Sequence, residues 1–330
     1  MTEHRLPSQH ERKRLIKVMA KTNPHYGKRP DERGASDLLS NGCLCLDKPC
    51  GPTSHQVDSW VKEILHVDKI GHHGTLDPAV TGVLPIGVGD ASRALQALLP
   101  AGKEYVALMK LHKQFDPAVV RTTMEGFVGE VTQMPPLRSA VKRVRRKRQI
   151  YYLDVMEIQG TEVLFTVGCE AGTYIRTLCV DIGRKLGAGA QLMELRRTKV
   201  GHIIESSLVK LQEVKDAYVF WHEDNDNSRM KAVLRPMEYL LGSIPKVVVR
   251  DSAVDALCHG ANLAVPGIVE VDSDIKKGDI AAAMTLKGEG IALVTMQLST
   301  EEVLQKDQGI AAVLERVLMN KGTYPSVWKK

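Results

Sequence analysis

From residue 43 onward the apolar positions fall into strand-like or helix-like periods, whereas residues 1–40 show neither. Cys43 to Leu46 reads as a short buried strand. Val57, Trp60, Val61, Ile64 and Leu65 then recur at the spacing of one helix face, and Thr53 with Gln56 supplies a capping box ahead of them. Glu104 to Leu111 alternates like a strand, and Asp116-Pro117 suits the N-cap and first residue of a helix. Ile150 to Ile158 and Glu162 to Val167 alternate on either side of Gln159-Gly160, which predicts a hairpin. Tyr174 to Leu186 predicts a helix closed by Gly187.

Strands and helices therefore mix without a regular βαβ repeat, which predicts an α+β fold around a largely antiparallel sheet. The pattern breaks near Leu241-Gly242-Ser243. Beyond it, Lys246 to Val249 and Ile291 to Met296 look like strands, and Ser252 can cap a short helix through Leu257. Residues 1–40 are polar, basic and rich in turn formers, with one apolar patch from Leu15 to Val18. They read as an extension ordered by packing on another element, the alternative being a disordered tail.

Composition narrows the class. The chain has 330 residues, 43% hydrophobic and 25% charged, the proportions of an ordinary globular protein with room for two domains. No apolar run approaches the roughly 18 residues of a membrane span, and the charged N-terminus lacks a signal-peptide core, so an intracellular, cytoplasmic protein is expected. A net charge of +6 permits a polyanionic partner without demanding one. Cys43, Cys45 and Cys50 are close, but they are not spaced as a zinc ligand pair, and the other three cysteines are isolated. His72 and His73 are adjacent, and neighbours seldom face one ion, so no metal site is expected. Gly87-x-Gly89 lacks the third glycine of a dinucleotide fingerprint.

The densest chemistry lies in Gly71-His72-His73-Gly74-Thr75-Leu76-Asp77-Pro78. Glycine permits close approach of backbone to a ligand, and Pro78 keeps Asp77 out of the helical region. Further blocks follow in order. They are Leu46-Asp47-Lys48-Pro49 with Gly51 and Thr53-Ser54 ahead of it, then Thr81 to Pro85, Lys103-Glu104-Tyr105 and Gln133-Met134-Pro135-Pro136 with Ser139 to Lys142. Gly172 to Leu178 and Leu195-Arg196-Arg197-Thr198 complete the set. Over roughly residues 41–205 the chain resembles the TruB/dyskerin family of pseudouridine synthases. Residues 245–325 resemble a PUA domain, the small RNA-binding β-barrel.

The resemblance implies a pseudouridine synthase fold, with catalytic residues 41–241, a PUA domain at 245–325, and residues 1–40 packing on the latter. It implies an isomerase that converts uridine to pseudouridine and needs no cofactor. Asp77 would be the nucleophile, Arg176 its ion-pair partner, and Tyr105 the ring stacked on the flipped base, with a possible part in removing the C5 proton. His72 would meet RNA where the nucleotide leaves the stack. Leu192 would form an apolar wall, and Lys48 would shape the floor or touch substrate. The run containing Lys142, Arg143, Arg145 and Arg146 falls where the family has its RNA-clasping thumb, and Gly260 with Ala261 falls where a PUA domain meets RNA. Family members usually carry Ser or Thr where this chain has His73.

Leu111-His112, Glu170-Ala171-Gly172 and the C-terminal Gly322-Thr323-Tyr324-Pro325 with Trp328 resemble the archaeal and eukaryotic branch. That branch implies tRNA (uridine 55 of the TΨC loop) or rRNA as substrate, an H/ACA guide RNA, and small H/ACA ribonucleoprotein subunits as partners. A nucleolar location would apply only to a eukaryotic source. Two other classes stay open on sequence: a catalytically silent RNA-binding scaffold of the same fold, and a hydrolase acting on a nucleoside bond, which would want a second carboxylate.

Overall fold

The computed structural model describes residues 5–134 and 144–326. The strand β1 (Arg14–Ile16) and helix α1 (Ala35–Asn41) precede β2 (Gly42–Lys48), α2 (Ser54–Leu65), β3 (Ile70–His72) and β4 (Thr81–Gly89). Next come β5 (Lys103–Leu111), α3 (Pro117–Glu125), β6 (Gly129–Gln133), β7 (Arg146–Gln159), β8 (Glu162–Cys169), α4 (Ile175–Lys185) and β9 (Ala190–Val200). The short β10 (Ile203–Ile204) and β11 (Arg235–Pro236) flank α5 (Leu211–Asp224) and α6 (Asn227–Val233). The last third holds β12 (Lys246–Val249), α7 (Asp251–Cys258), β13 (Leu263–Ala264), β14 (Ile268–Asp272) and β15 (Ile280–Thr285). It ends with β16 (Gly290–Met296), α8 (Thr300–Gln305) and β17 (Ile310–Val317).

The expected local signals operate. The Thr53 hydroxyl accepts from the Gln56 N–H and closes the capping box of α2. Asp116 caps α3 ahead of Pro117. The β7–β8 hairpin turns through Gly160, which sits at φ +60°. One cap differs. The N-cap of α7 is Arg250, not Ser252, because the Arg250 N–H is already tied to the Gly267 carbonyl and the helix begins at the next residue.

A ten-stranded sheet runs β11-β2-β4-β9-β5-β8-β7-β6, with β3 added beside β4 and β10 beside β9. All its pairings are antiparallel except β4 with β9. Helices α1, α2, α5 and α6 cover one part of it around Leu44, Leu46, Val57 and Leu84; α3 and α4 cover another around Phe165, Leu178 and Ile182. A seven-stranded sheet, β1-β14-β12-β15-β16-β17-β13, wraps around its own apolar core. A further cluster joins Leu98, Leu240 and Leu241 to Val248, Met284 and Leu293, so the two sheets share buried apolar surface. Large apolar contacts of this kind oppose free domain motion.

The N-terminal extension packs on the second sheet. β1 pairs with β14, Arg14 bonds Asp272 at 2.7 Å, and Asp251 accepts from Thr22 and the Asn23 N–H. Among the described residues, no helix is long and apolar enough to cross a membrane.

Candidate active site

Asp77 lies in the loop between β3 and β4, and that loop is held at several points. The Ser54 hydroxyl, buried in the first turn of α2, donates to the Leu76 carbonyl at 3.0 Å and accepts from the Leu76 N–H at 2.9 Å. The ammonium of Lys48 donates to the carbonyls of Pro49, Pro78 and Val80 at 2.9–3.1 Å. Lys48 has no exposure, so its three protons are committed to backbone and none is left for a substrate. It is a loop staple. Burial lowers its pKa, while the neighbouring Cys50 and Asp77 oppose that shift.

The remaining support comes from β9. Arg197 is fully buried and donates through Nε to the Val83 carbonyl at 2.7 Å. Its guanidinium lies beneath Gly74, where an added Cβ would meet Nη1 at 3.0 Å. The parallel contact of β4 with β9 is equally close: a Cβ on Gly82, at φ +99°, would lie 2.1 Å from the Arg197 carbonyl oxygen. The adjacent Arg196 makes a bidentate pair with Asp47 at 2.9 and 3.1 Å, linking two sequence blocks that are 149 residues apart.

With its backbone pinned, Asp77 presents an exposed carboxylate. Arg176, in the first turn of α4, donates to it at 2.6 Å, and both side chains are more than half exposed. The pair stands at an opening rather than in the core. Tyr105 is half-buried on β5, directly opposite Arg197 on β9. Burial raises its phenol pKa, and Arg197 opposes the rise. Arg197 thus ties the tyrosine strand to the loop that carries the aspartate.

His72 turns toward α2, with Nδ1 2.6 Å from Asp58 and Nε2 3.1 Å from the Thr75 hydroxyl. His73 turns the other way. It is buried 3.5 Å from the Lys103 ammonium, so this departure from the family's usual residue faces the interior rather than RNA. Burial first, then Lys103, pushes His73 down to about 3; burial also brings Lys103 down to about 8. Leu192 is opposite Met109, four residues along β5 from Tyr105, whereas Leu195 is opposite Ala107 and so nearer the ring. The apolar wall beside Tyr105 is therefore better assigned to Leu195.

A groove between β6 and α4 is lined by Thr132, Met134, Arg145, Arg176, Val180 and Arg184, which places Arg145 beside the Asp77 partner. Arg146 is exposed at the start of β7, opposite Gln133. Lys142 and Arg143 lie outside the described residues, as do Pro135, Pro136 and Trp328. Gly260 and Ala261 form an exposed turn after α7, and Gly260 has φ +97° with open space beside it.

Comparison with known proteins gives the family. The model of the N-terminal domain of TruB family pseudouridylate synthases matches residues 62–175, and that of the tRNA pseudouridylate synthase B C-terminal domain matches 176–242. A PUA domain matches 245–318 and a DKCLD domain 4–58. A probable tRNA pseudouridine synthase B of Methanosarcina acetivorans is 54% identical over 99% of this chain and 96% of its own length. The chain belongs to the TruB family of pseudouridylate synthases.

Another TruB relative, the probable tRNA pseudouridine synthase B of Pyrococcus furiosus, is 49% identical over 98% of this chain and 96% of that protein. Among solved structures, a chain of a Cbf5-Nop10-Gar1 complex superposes with a TM-score of 0.94 at 49% identity, covering 98% of each chain. A chain of an H/ACA RNP bound to a substrate RNA containing 2'-deoxyuridine gives 0.92 at 46% identity, covering 98% of this chain and all of that one. Sequence reasoning passed over Ser54 and Arg197. Each stood inside a TruB block, and the signals were a hydroxyl in the first turn after a capping box and a second arginine beside the first.

Proposed function

We propose that this TruB family member isomerises uridine to pseudouridine in tRNA or rRNA, with Asp77 as nucleophile. The reaction breaks the N1–C1′ bond, turns the uracil and joins C5 to C1′, while C5 loses a proton and N1 gains one, so atoms balance without redox change or added group. Arg176 aims the Asp77 carboxylate at the opening. Tyr105 stacks on the everted base, and its phenol stands ready to exchange the C5 proton. Leu195 closes the apolar side of that pocket. Arg145 provides a phosphate contact in the groove beside Arg176, where Arg184 is paired with Asp181, and His72 contacts RNA at the entrance. The exposed turn at Gly260-Ala261 lets backbone approach a second stretch of RNA.

By analogy with its relatives, the chain works with an H/ACA guide RNA and small ribonucleoprotein subunits, in the cytoplasm of an archaeal-type cell. Residues 1–40 serve as an extension of the PUA domain at 245–325, and residues 41–241 form the catalytic domain.

The observation that carries this reading is an exposed carboxylate on a fixed backbone, 2.6 Å from a guanidinium. Asp77→Asn is expected to abolish pseudouridine formation on a tRNA transcript, with or without guide RNA and partners, while RNA binding changes by less than about threefold. Normal turnover by that variant removes Asp77 from the chemistry.

A further inference from the structure

We infer that His55, Asp58 and His72 form a site for a first-row divalent transition-metal ion, placed between α2 and the loop that carries Asp77. His55 and Asp58 lie three residues apart on α2, hence on one helix face. His72 reaches them from the end of β3. One donor atom from each lies within 4.8 Å of the other two. The imidazoles of His55 and His72 meet edge to face, with centroids 5.0 Å apart.

Two imidazoles and a carboxylate form the donor set that suits zinc, cobalt, nickel or iron(II) rather than calcium or magnesium. A second observation points to a ligand. Asp58 Oδ1 is buried without a hydrogen-bond partner, while Oδ2 faces His72 Nδ1 at 2.6 Å. An unpaired buried carboxylate oxygen is costly, and a cation held there would satisfy it. The outer contact is also in place. With His72 Nδ1 on the ion, Nε2–H donates to the Thr75 hydroxyl now 3.1 Å away, the kind of bond that orients a metal-bound imidazole.

The fit needs only a small adjustment. Donors bound at about 2.0–2.1 Å in a tetrahedron stand roughly 3.3 Å apart. The Asp58–His72 contact must open slightly, and the exposed His55 ring must swing inward. The Ser54–Leu76 bonds and the pairing of β3 with β4 keep the two halves of the site in register meanwhile. An ion there strengthens the hold that Asp58 already has on His72, so it opposes any turn of His72 toward RNA and competes with it. That competition, unlike the site itself, rests on the reading of His72 as an RNA contact.

The test titrates the full chain, free of RNA, with cobalt(II) and follows visible absorption. One equivalent is expected to give the strong bands of a low-coordinate cobalt ion. His55→Ala, at an exposed position, should lose more than about tenfold in affinity, since even an outer partner's loss costs that much. Asp58→Asn should do the same, with circular dichroism checking its fold. Absent bands overturn the site, and bands unchanged in His55→Ala show an adventitious ion only and overturn it as well. Adding tRNA to the cobalt-loaded protein should release the ion. Retention of cobalt in a saturated RNA complex overturns the competition and the RNA role of His72, while leaving the site standing.

Discussion

At the scale of single residues, the site is built on buried cations that never meet solvent. Lys48 holds the carbonyls of Pro78 and Val80 and Arg197 that of Val83, all just after Asp77, and Arg197 also faces Tyr105. Burial lowers the pKa of both, yet Lys48 keeps three carbonyl partners and Arg197 one. Tyr105 separates two roles that substitution can test. Tyr105→Phe keeps the ring and is expected to bind RNA normally but to lose about 10²-fold or more in kcat, the scale of a lost proton-transfer group. Tyr105→Leu should lose an additional 1–3 kcal/mol or so of base stacking, seen as weaker RNA affinity. Full turnover by the Phe variant would leave the hydroxyl without a catalytic part. The family resemblance pointed to Asp77, Tyr105 and Arg176, and the structure brings Asp77 and Arg176 into contact. The resemblance could not show that Lys48 and His73 point inward, because side-chain direction follows from which strand lies behind the loop.

At the scale of elements, several strands and helices followed from periodicity and caps, including α2, α3, α4 and the β7–β8 hairpin. The pairing of β4 with β9 did not. It joins segments more than a hundred residues apart through a parallel contact that leaves no local signal, and only Gly82 and the arginine pair hint at it. The same holds for Ser54, whose hydroxyl spans from α2 to the Asp77 loop. Ser54→Ala removes both bonds and strands a buried N–H and carbonyl of Leu76, at about 1–3 kcal/mol in stability. The Asp77–Arg176 alignment should loosen with it. Chemical denaturation and single-turnover rates together measure this: the expectation is a lower midpoint and a slower chemical step. A stability loss with an unchanged single-turnover rate would show that the staple serves folding alone.

At the scale of the whole molecule, β1 extends the second sheet and a shared apolar cluster docks that sheet on the first. One buried and one half-buried histidine lie along this assembly. His73 sits behind the Asp77 loop, and His202 bonds Ser243 at 2.8 Å where the two sheets join. Burial pushes them down to about 3 and about 4, against an ordinary 6.5. Their neutral forms are therefore favoured in the folded chain, and the unfolded chain binds the extra protons between those values and 6.5. The stability they contribute is complete above pH 6.5 and is lost as pH falls toward 4, on the order of 2 kcal/mol each after allowing for solvent relaxation. Carboxylates also titrate in acid, so the informative quantity is a difference. His73→Ser, a residue the family accepts there, is expected to bring its melting temperature closer to that of the parent as pH drops from 7 to 4.5, and then to exceed it. Parallel melting curves across that range would mean that His73 gains its proton without cost, and that the space behind the Asp77 loop is open to water.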